Sequence, residues 1–328
     1  MRNETEDDAM PSAAATRALE GVRVLDLSRV LAGPWCGQLL GDLGADVIKV
    51  ETPGRGDDTR AWGPPFLPPA VPQPGHPRGE SAYYLTANRN KRSAAIDFAQ
   101  AEGAALVRRL AEKADIVIEN FKVGGLTKYG LDHDSIRAVN PRIVYCSITG
   151  FGQYGPYKDR GGYDFVAQGM GGLMSITGQP DDAPGAEPMK TGVAICDLFT
   201  GLYAATAVLA ALRHAERTGE GQRIDCALLD SQVAMLANQG MSYLVGGVVA
   251  RPLGNAHPTI VPYRAFSAAD GAIVVACGND RQYRDLCAAI GRDDLAGDPR
   301  FATNPLRTQN RAVLEPELAA TIATFAVG

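Results

Sequence analysis

Short apolar runs alternate with amphipathic stretches along the first two thirds of the chain. The runs at 116–118 and 143–148 are nearly continuous, which is typical of parallel strands covered by helices on both faces. The segment from Val22 to Val50 predicts a strand (Val22–Leu27), a helix (Ala32–Ala45) and a second strand (Asp46–Val50). This βαβ pattern indicates an α/β domain with a doubly wound, mostly parallel, Rossmann-like sheet.

The same alternation continues to residue 243. The residues between Glu51 and Ser81 are rich in proline and glycine and predict no regular structure. The further predicted strands are 83–98, 115–121, 143–148 and 222–228, and the further predicted helices are 100–113, 134–139, a long helix following Asp197, and 230–243.

The pattern changes after Gly246 and Gly247. Residues 260–266 and 272–278 predict an antiparallel hairpin, and helices are expected at 280–290 and 310–325. We therefore expect a disordered N-terminus (1–18), a large α/β domain (19–245) and a smaller α+β domain (246–328).

Composition narrows the class of protein. A net charge of −5 argues against a nucleic-acid partner held by a basic face. No apolar run approaches the roughly 20 residues that span a bilayer, so no membrane segment is expected. The six cysteines form no CxxC pair, which indicates free thiols in a reducing compartment and no metal site. The predicted location is the cytoplasm.

One carboxylate occupies a distinctive place in this pattern. Asp197 follows the apolar run Val193–Cys196 and precedes a long helix rich in alanine and leucine. An aspartate at a helix start is commonly an N-cap. It can also be a reactive carboxylate whose anion the helix N-terminus stabilises. The residues alone leave both interpretations open.

Several segments carry a specific resemblance. LEGVRVLDLSRVLAGPWCGQLLGDLGADVIKVETPGRGDDTRAWGPPF, NRNKRSAAIDF, ADIVIENFKVGGLTKYGL, NPRIVYCSITGFGQYGP, GYDFVAQGMGGLMSITG and TGEGQRIDCALLDSQV resemble the class III CoA-transferases, the CaiB/BaiF family. The resemblance runs from Leu19 to about Phe325. It implies the family III fold and an interlocked homodimer. It also implies that the family's C-terminal segment, which returns to the large domain, is missing from this chain.

The resemblance assigns a reaction. The segments GDDTRAWGPPF, YCSITGFGQ and AHPTIVPYRAF are most similar to members that move CoA between dicarboxylic acids, with donors such as succinyl-CoA. Asp197 matches the family's nucleophile, which passes through a mixed anhydride to an aspartyl-CoA thioester. The implied partners are an acyl-CoA and a carboxylic acid acceptor, with no further cofactor and no metal.

Residues upstream of Asp197 bear on the type of reaction. Racemases of the same family carry histidine where this chain has Tyr163, and an ordinary phenol of pKa ~10 is a weak base. Tyr163 therefore favours transfer over racemisation, either as a substrate contact or as a buried structural residue. Asp164 is expected to position catalytic groups. In the glycine-rich segment 169–172, Gly171 and Gly172 are candidate supports for an oxyanion.

The resemblance also suggests binding residues by position. The candidates for CoA are Leu31, Ala32, Ile96, Asn120, Phe121, Lys122, Lys128 and Arg160, and those for the distal carboxylate of the substrate are His257 and Arg264. A solvated surface charge is the alternative for each cation, and a structural role is the alternative for His257. Thr52 stands where the family often has arginine, so that phosphate contact is expected to be either weakened or supplied elsewhere, with Arg55 and Arg89 as the candidates.

Two alternatives to transfer remain at this stage. One is a 2-methylacyl-CoA racemase or epimerase of the same family. The other is a chain that binds CoA or a partner but is inactive because its C-terminal segment is absent.

Overall fold

The computed structural model describes residues 17–68 and 79–327. Most of the expected disordered N-terminus, residues 1–16, lies outside this range. The described residues divide into two compact units. The first contains the described residues up to Leu173 together with Lys190–Gly246, and the second contains Met174–Met189 and the residues from Gly247 onward.

The described residues form ten strands and twelve α-helices. The strands are β1 (Arg23–Asp26), β2 (Asp46–Glu51), β3 (Phe66–Leu67), β4 (Glu80–Ser81), β5 (Lys91–Ala95), β6 (Ile116–Glu119), β7 (Val144–Thr149), β8 (Arg223–Ala227), β9 (Tyr263–Ser267) and β10 (Ala272–Ala276). The helices are α1 (Ala32–Asp42), α2 (Ala82–Asn88), α3 (Ala101–Ala111), α4 (His133–Arg137), α5 (Asp164–Met170), α6 (Ile195–Thr218), α7 (Leu228–Met235), α8 (Ala237–Gly246), α9 (Asp280–Ala289), α10 (Asp293–Gly297), α11 (Asn304–Gln309) and α12 (Arg311–Ile322).

A six-stranded parallel sheet organises the first unit. Its order is β5-β2-β1-β6-β7-β8, and every neighbouring pair runs parallel. The order reverses between β1 and β6, so a crevice is expected beyond the carboxyl ends of these two strands. The predicted doubly wound α/β sheet is confirmed.

Both faces of this sheet are packed. On β1, Val24 belongs to one apolar cluster and Leu25 to another. The same alternation occurs on β6, where Ile116 and Ile118 face the first cluster and Val117 faces the second. Successive strand residues point to opposite faces, so the near-continuous apolar runs fill two separate layers of core.

Helix α6 is the main element of the first layer. Its buried side chains include Ala204, Val208 and Ala211. A Cβ on Gly201 would lie 2.8 Å from the carbonyl oxygen of Ala32, so the glycine allows α1 and α6 to pack closely. Among the described residues, α6 is the one helix long and apolar enough to cross a membrane, and 44% of its most apolar window is buried in the fold. Helices in the core of a protein commonly satisfy this test of length and apolar composition. The sequence analysis had not predicted any segment that would satisfy it.

Two elements of the first unit differ from prediction. Residues 83–88 were expected in a strand but belong to α2, whose N-terminus is capped by the Ser81 side chain accepting from the Tyr84 N–H. The single helix expected over 230–243 is divided into α7 and α8 at Ala237, whose φ is +45°. A residue in the left-handed region cannot continue an α-helix.

The second unit contains the predicted hairpin. Strands β9 and β10 pair antiparallel, with Phe266 opposite Ile273. Phe266 packs with Tyr283 of α9 and Leu314 of α12 in a separate apolar cluster. The unit therefore has its own core.

Residues 174–189 correct the predicted boundaries, which placed them in the large domain. Gly254 N donates to Gly178 O at 2.9 Å. Arg251 and Asp181 form an ion pair at 2.7 Å. These contacts attach the segment to residues beyond 246, so the large unit is built from two separate stretches of chain.

Candidate active site

Asp197 lies in the first turn of α6 but does not cap it. The helix begins at Ile195 with Ala194 in the N-cap position, and Ala194 has no side chain that could accept a hydrogen bond. Asp197 is the third residue of the helix and is half-buried. The capping interpretation of Asp197 is therefore wrong, and its carboxylate is left for another role.

The cap of α6 comes from a different helix. The Oδ1 atom of Asp164, the first residue of α5, accepts from Cys196 N at 2.7 Å and from Asp197 N at 3.4 Å. A carboxylate in this position accepts hydrogen bonds from N–H groups that have no partner within the helix. Its negative charge is also stabilised by the positive end of the helix dipole. The expected positioning role of Asp164 thus has a structural basis.

Two carboxylates therefore meet at the start of α6. Burial, and after it the negative charge of Asp164, raises the pKa of Asp197 to about 7. A carboxylate with a raised pKa is more basic, and within one class of nucleophile reactivity increases with basicity.

Tyr83 on α2 is a residue that sequence reasoning missed. Burial, and after it the charges of Asp197 and Asp164, raises the pKa of Tyr83. Its ring lies 5.0 Å from the ring of Trp62 in an edge-to-face contact. The sequence analysis missed Tyr83 because it placed residues 83–88 in a strand. A strand would have directed alternate side chains to opposite faces of the sheet.

Tyr163 is not a buried structural tyrosine. Its side chain is 73% exposed, and it precedes Asp164 at the N-cap position of α5. This exposure contradicts the buried structural role, and contact with the substrate stays a prediction.

The glycine-rich segment after α5 differs from expectation. Gly171 N donates to Ala167 O at 2.9 Å, so this N–H is engaged in the helix and is not aimed at an oxyanion. A Cβ on Gly171 would lie 1.2 Å from Oε1 of the buried Gln232, so the Gln232 side chain would have to move to admit a larger residue. Gly172 has φ of +90°, a conformation that favours glycine.

The carboxyl edge of the sheet gathers part of the predicted CoA site. Phe98 contacts the Phe121 ring with 5.7 Å between centroids, and the Arg29 guanidinium lies 5.4 Å from the centroid of Phe121. Ile96 packs against the same apolar cluster. Asn120 joins the two strand ends, because its side chain accepts from Arg29 N at 2.9 Å and donates to Arg29 O at 2.7 Å.

The cations near this edge differ in their contacts. Lys122 is exposed, and the exposed Lys128 places its ammonium 4.7 Å from the Tyr129 ring centroid. Arg160 stacks on Tyr157 at 4.0 Å instead, and no described contact joins it to the Phe98–Phe121 pair. Lys122 and Lys128 thus follow β6 on the expected edge, whereas Arg160 belongs to a separate stack.

Neither candidate to replace the family's arginine at position 52 is without a partner. Arg55 pairs with Asp58, and Arg89 pairs with Asp42 at 2.5 Å. A cavity of about 70 Å³ is lined by Thr52 together with Arg29 and Phe121. Arg29, which the sequence analysis did not name, lines this cavity beside Thr52, and it too has a partner, since its guanidinium lies 3.3 Å from the Asp58 carboxylate.

The turn after β1 holds the candidates Leu31 and Ala32. Both side chains are buried, at 5% and 4% exposure, so any contact they make with CoA involves the backbone. Val30, just before them, has φ of +70°, and its N–H donates to Asp57 at 3.2 Å. The fully buried Lys49 in turn pairs with Asp57 at 3.0 Å. A buried ion pair thus supports an unfavourable backbone conformation at the crevice.

His257 and Arg264 belong to the second unit. The Arg264 guanidinium donates to the Glu315 carboxylate at 2.6 Å. Thr259 N donates to Nδ1 of His257 at 3.2 Å. Their role in holding substrate stays a prediction. Among the described residues, His, Cys, Asp and Glu side chains do not gather in a group that could hold a metal ion.

Comparison with known proteins identifies the family of this chain. The model of CoA-transferase family III matches residues 19–327. A succinate–glutarate CoA-transferase of Agrobacterium fabrum is 57% identical over 293 residues, which cover 89% of this chain and 71% of that protein. A succinyl-CoA:glutarate CoA-transferase of Mus musculus is 47% identical over 307 residues, covering 94% of this chain and 67% of that protein.

A solved structure agrees with the sequence comparison. The crystal structure of a CaiB/BaiF family protein from Brucella suis aligns with a TM-score of 0.81 at 52% identity, covering 95% of this chain and 80% of that one. The chain therefore spans between 67% and 80% of the length of these three relatives. This chain belongs to CoA-transferase family III.

Proposed function

We propose that this chain is a CoA-transferase that moves CoA from succinyl-CoA to a dicarboxylate such as glutarate, with Asp197 as the covalent carrier. The observation that carries the proposal is the carboxylate of Asp197, which is left uncommitted at the start of α6 beside a second carboxylate. The dicarboxylates are taken from the relatives' names.

The reaction proceeds through four exchanges at one carboxylate. The Asp197 oxygen attacks the thioester carbonyl, the C–S bond breaks, and a mixed anhydride and CoA thiolate result. The thiolate then attacks the Asp197 carbonyl, which releases the donor acid and leaves an aspartyl-CoA thioester. The acceptor carboxylate attacks this thioester to form a second anhydride and release the thiolate. The thiolate attacks the acceptor's carbonyl, which yields the new acyl-CoA and regenerates Asp197.

We propose that the nucleotide of CoA binds at the carboxyl edge of the sheet. Phe98 and Phe121 offer aromatic faces for the adenine, and Arg29 and Lys128 offer positive charge for the phosphates. The crevice lies where the strand order reverses, which is the usual ligand position in open α/β sheets. CoA enters as a substrate, and the four exchanges use no other cofactor.

A family racemase remains the competing activity. Proton exchange at Cα needs a base on each side, and Tyr163 offers a phenol where racemases of the family carry histidine. Incorporation of deuterium at Cα from heavy water, without an acceptor acid, would favour the racemase.

Assembly as a homodimer is part of the proposal. Helix α8 has no buried residue along its length, and it exposes Met241, Tyr243, Leu244 and Val245 by 54% to 81%. Exposed apolar side chains in such a group are typical of an interface. We place the protein in the cytoplasm, in keeping with six cysteines that are all unpaired.

The decisive experiment replaces Asp197 with alanine and measures transfer from succinyl-CoA to a panel of dicarboxylates. Turnover should fall by about 10³-fold or more, because the covalent route is lost. Asp230→Ala is the matched control, since Asp230 is also the third residue of its helix but is exposed. Retained turnover in Asp197→Ala would refute the proposal.

A further inference from the structure

A buried glutamine donates a hydrogen bond to the carboxylate that caps α6. Gln168 lies one turn after Asp164 on α5 and is fully buried. Its Nε2 donates to Oδ2 of Asp164 at 2.6 Å. The two oxygens of Asp164 are thereby divided: Oδ2 accepts from Gln168, while Oδ1 accepts from Cys196 N at the start of α6.

The other end of the same amide is held by the segment that leads into α6. Oε1 of Gln168 accepts from Thr191 N at 2.9 Å. An amide can donate to a carboxylate and accept from a backbone N–H in only one orientation, so these two partners fix the orientation of the group. A continuous series of hydrogen bonds thus runs from Thr191 through Gln168 and Asp164 to Cys196.

We propose that Gln168 is a positioning residue for CoA transfer, which holds the Asp164 carboxylate against the start of α6 and thereby sets the place and surroundings of Asp197. The proposal rests on the function proposed above and adds a residue that touches neither substrate. Its effect reaches the reacting carboxylate through Asp164 and through Thr191 in the segment that leads into α6.

Within residues 17–68 and 79–327, three titratable groups interact electrostatically with Asp197. They are Asp164 at the start of α5, Tyr83 on α2 and the neighbouring Cys196 on α6. Of these, Asp164 is the group whose charge raises the pKa of Asp197 after burial. A change in the position of Asp164 therefore changes the pKa of Asp197, and the pH dependence of turnover measures that change.

Two substitutions test the inference in the full chain, with succinyl-CoA and glutarate as substrates. Gln168→Leu keeps the size of the side chain but removes both hydrogen bonds. We expect kcat to fall about 10- to 100-fold with the KM for succinyl-CoA unchanged, because the reacting carboxylate is misplaced while the CoA site is intact. Gln38→Leu is the control, since Gln38 is an equally buried glutamine on α1.

Gln168→Glu supplies a readout that a merely structural role would not give. When protonated, the introduced carboxyl group can donate to Asp164 and accept from Thr191 N, as the amide does. When ionised, it can only accept, and it repels Asp164. The ratio of variant to unsubstituted kcat should therefore decrease as pH rises, while Gln168→Leu stays impaired at every pH. Gln168→Glu carries this test alone if Gln168→Leu does not fold.

The outcomes separate the two proposals. If the unsubstituted protein does not transfer CoA, the proposed function fails. If it does, and the Gln168 variants keep its kcat and its pH dependence, the positioning role is overturned while the proposed function stands. Equal losses in Gln38→Leu and Gln168→Leu would also overturn that role, because the effect would then be a general cost of removing a buried glutamine.

Discussion

At the scale of single residues, the carboxylate of Asp197 is defined by its neighbour. The Asp164 carboxylate accepts from the N–H groups that begin α6, and these hydrogen bonds hold its negative charge close to Asp197. Burial and this charge together favour the protonated form of Asp197. The nucleophile is thereby more basic than an ordinary aspartate, and it reacts only where pH allows it to ionise.

This raised pKa predicts the pH dependence of transfer. A carboxylate attacks only when ionised, so kcat/KM for succinyl-CoA should increase with pH and level off above pH 7, given a pKa of about 7 for Asp197. Asp164→Asn keeps an oxygen for the cap but removes the charge, and should move the midpoint to lower pH. The shift should be partial, because burial is the larger cause. A midpoint near pH 4 in the unsubstituted protein would contradict this account.

The role of Asp164 illustrates what the sequence could not show. The string around Asp197 identified the candidate nucleophile through its resemblance to a family. The cap joins residues 164 and 196, and no local pattern links two positions so far apart. For the same reason the residues alone left open whether Asp197 is itself the cap, and Tyr83 was missed.

At the scale of elements, the sheet was predictable and one helix was not. Continuous apolar runs at β6 and β7 identify strands buried on both faces. Helix α2 contains two adjacent tyrosines, which favour strands by intrinsic preference. The cap from Ser81 and burial of Tyr84 and Ala87 outweigh that preference. Tertiary packing therefore decided the element that carries Tyr83.

Two neighbouring residues of strand β5 form ion pairs, one of them buried and the other exposed. Removing the two pairs should therefore change the free energy of unfolding by very different amounts. Lys91 pairs with Asp26 at 2.9 Å, with both side chains almost wholly buried. Lys91→Met leaves a buried carboxylate without its cation and should lower the free energy of unfolding by about 3–5 kcal/mol in urea titrations.

The adjacent residue provides the control. Arg92 pairs with Asp46 at 2.6 Å, but both side chains are largely exposed. Arg92→Met should cost no more than about 1 kcal/mol. Adding Asp26→Asn to Lys91→Met should recover part of the loss. Similar costs for Lys91→Met and Arg92→Met would show that the buried pair is not what stabilises this edge of the sheet.

At the scale of the whole molecule, some features of the second unit could be predicted from the sequence and others could not. The hairpin of β9 and β10 followed from alternating apolar residues around a turn. The attachment of residues 174–189 to the second unit did not, because it depends on backbone contacts such as that between Gly254 and Gly178. Backbone hydrogen bonds between distant segments leave no mark in side-chain patterns.

The apolar surface of α8 predicts the state of assembly. Light scattering should give the mass of a dimer, and Leu244→Glu should shift the protein toward the monomer, because Leu244 is 75% exposed in the isolated chain. Leu106→Glu, on the outer side of α3, is the control and should leave the mass unchanged. A monomer mass for the unsubstituted protein would count against assembly through α8.

The most direct test of the whole account is to identify the covalent residue. The protein is incubated with succinyl-CoA in the absence of acceptor, quenched in acid, digested and examined by mass spectrometry. We predict that the peptide containing Asp197 gains the mass of CoA less water, and that the adduct disappears when glutarate is added before the quench. An adduct on any other residue, or transfer without an adduct at Asp197, would contradict the account.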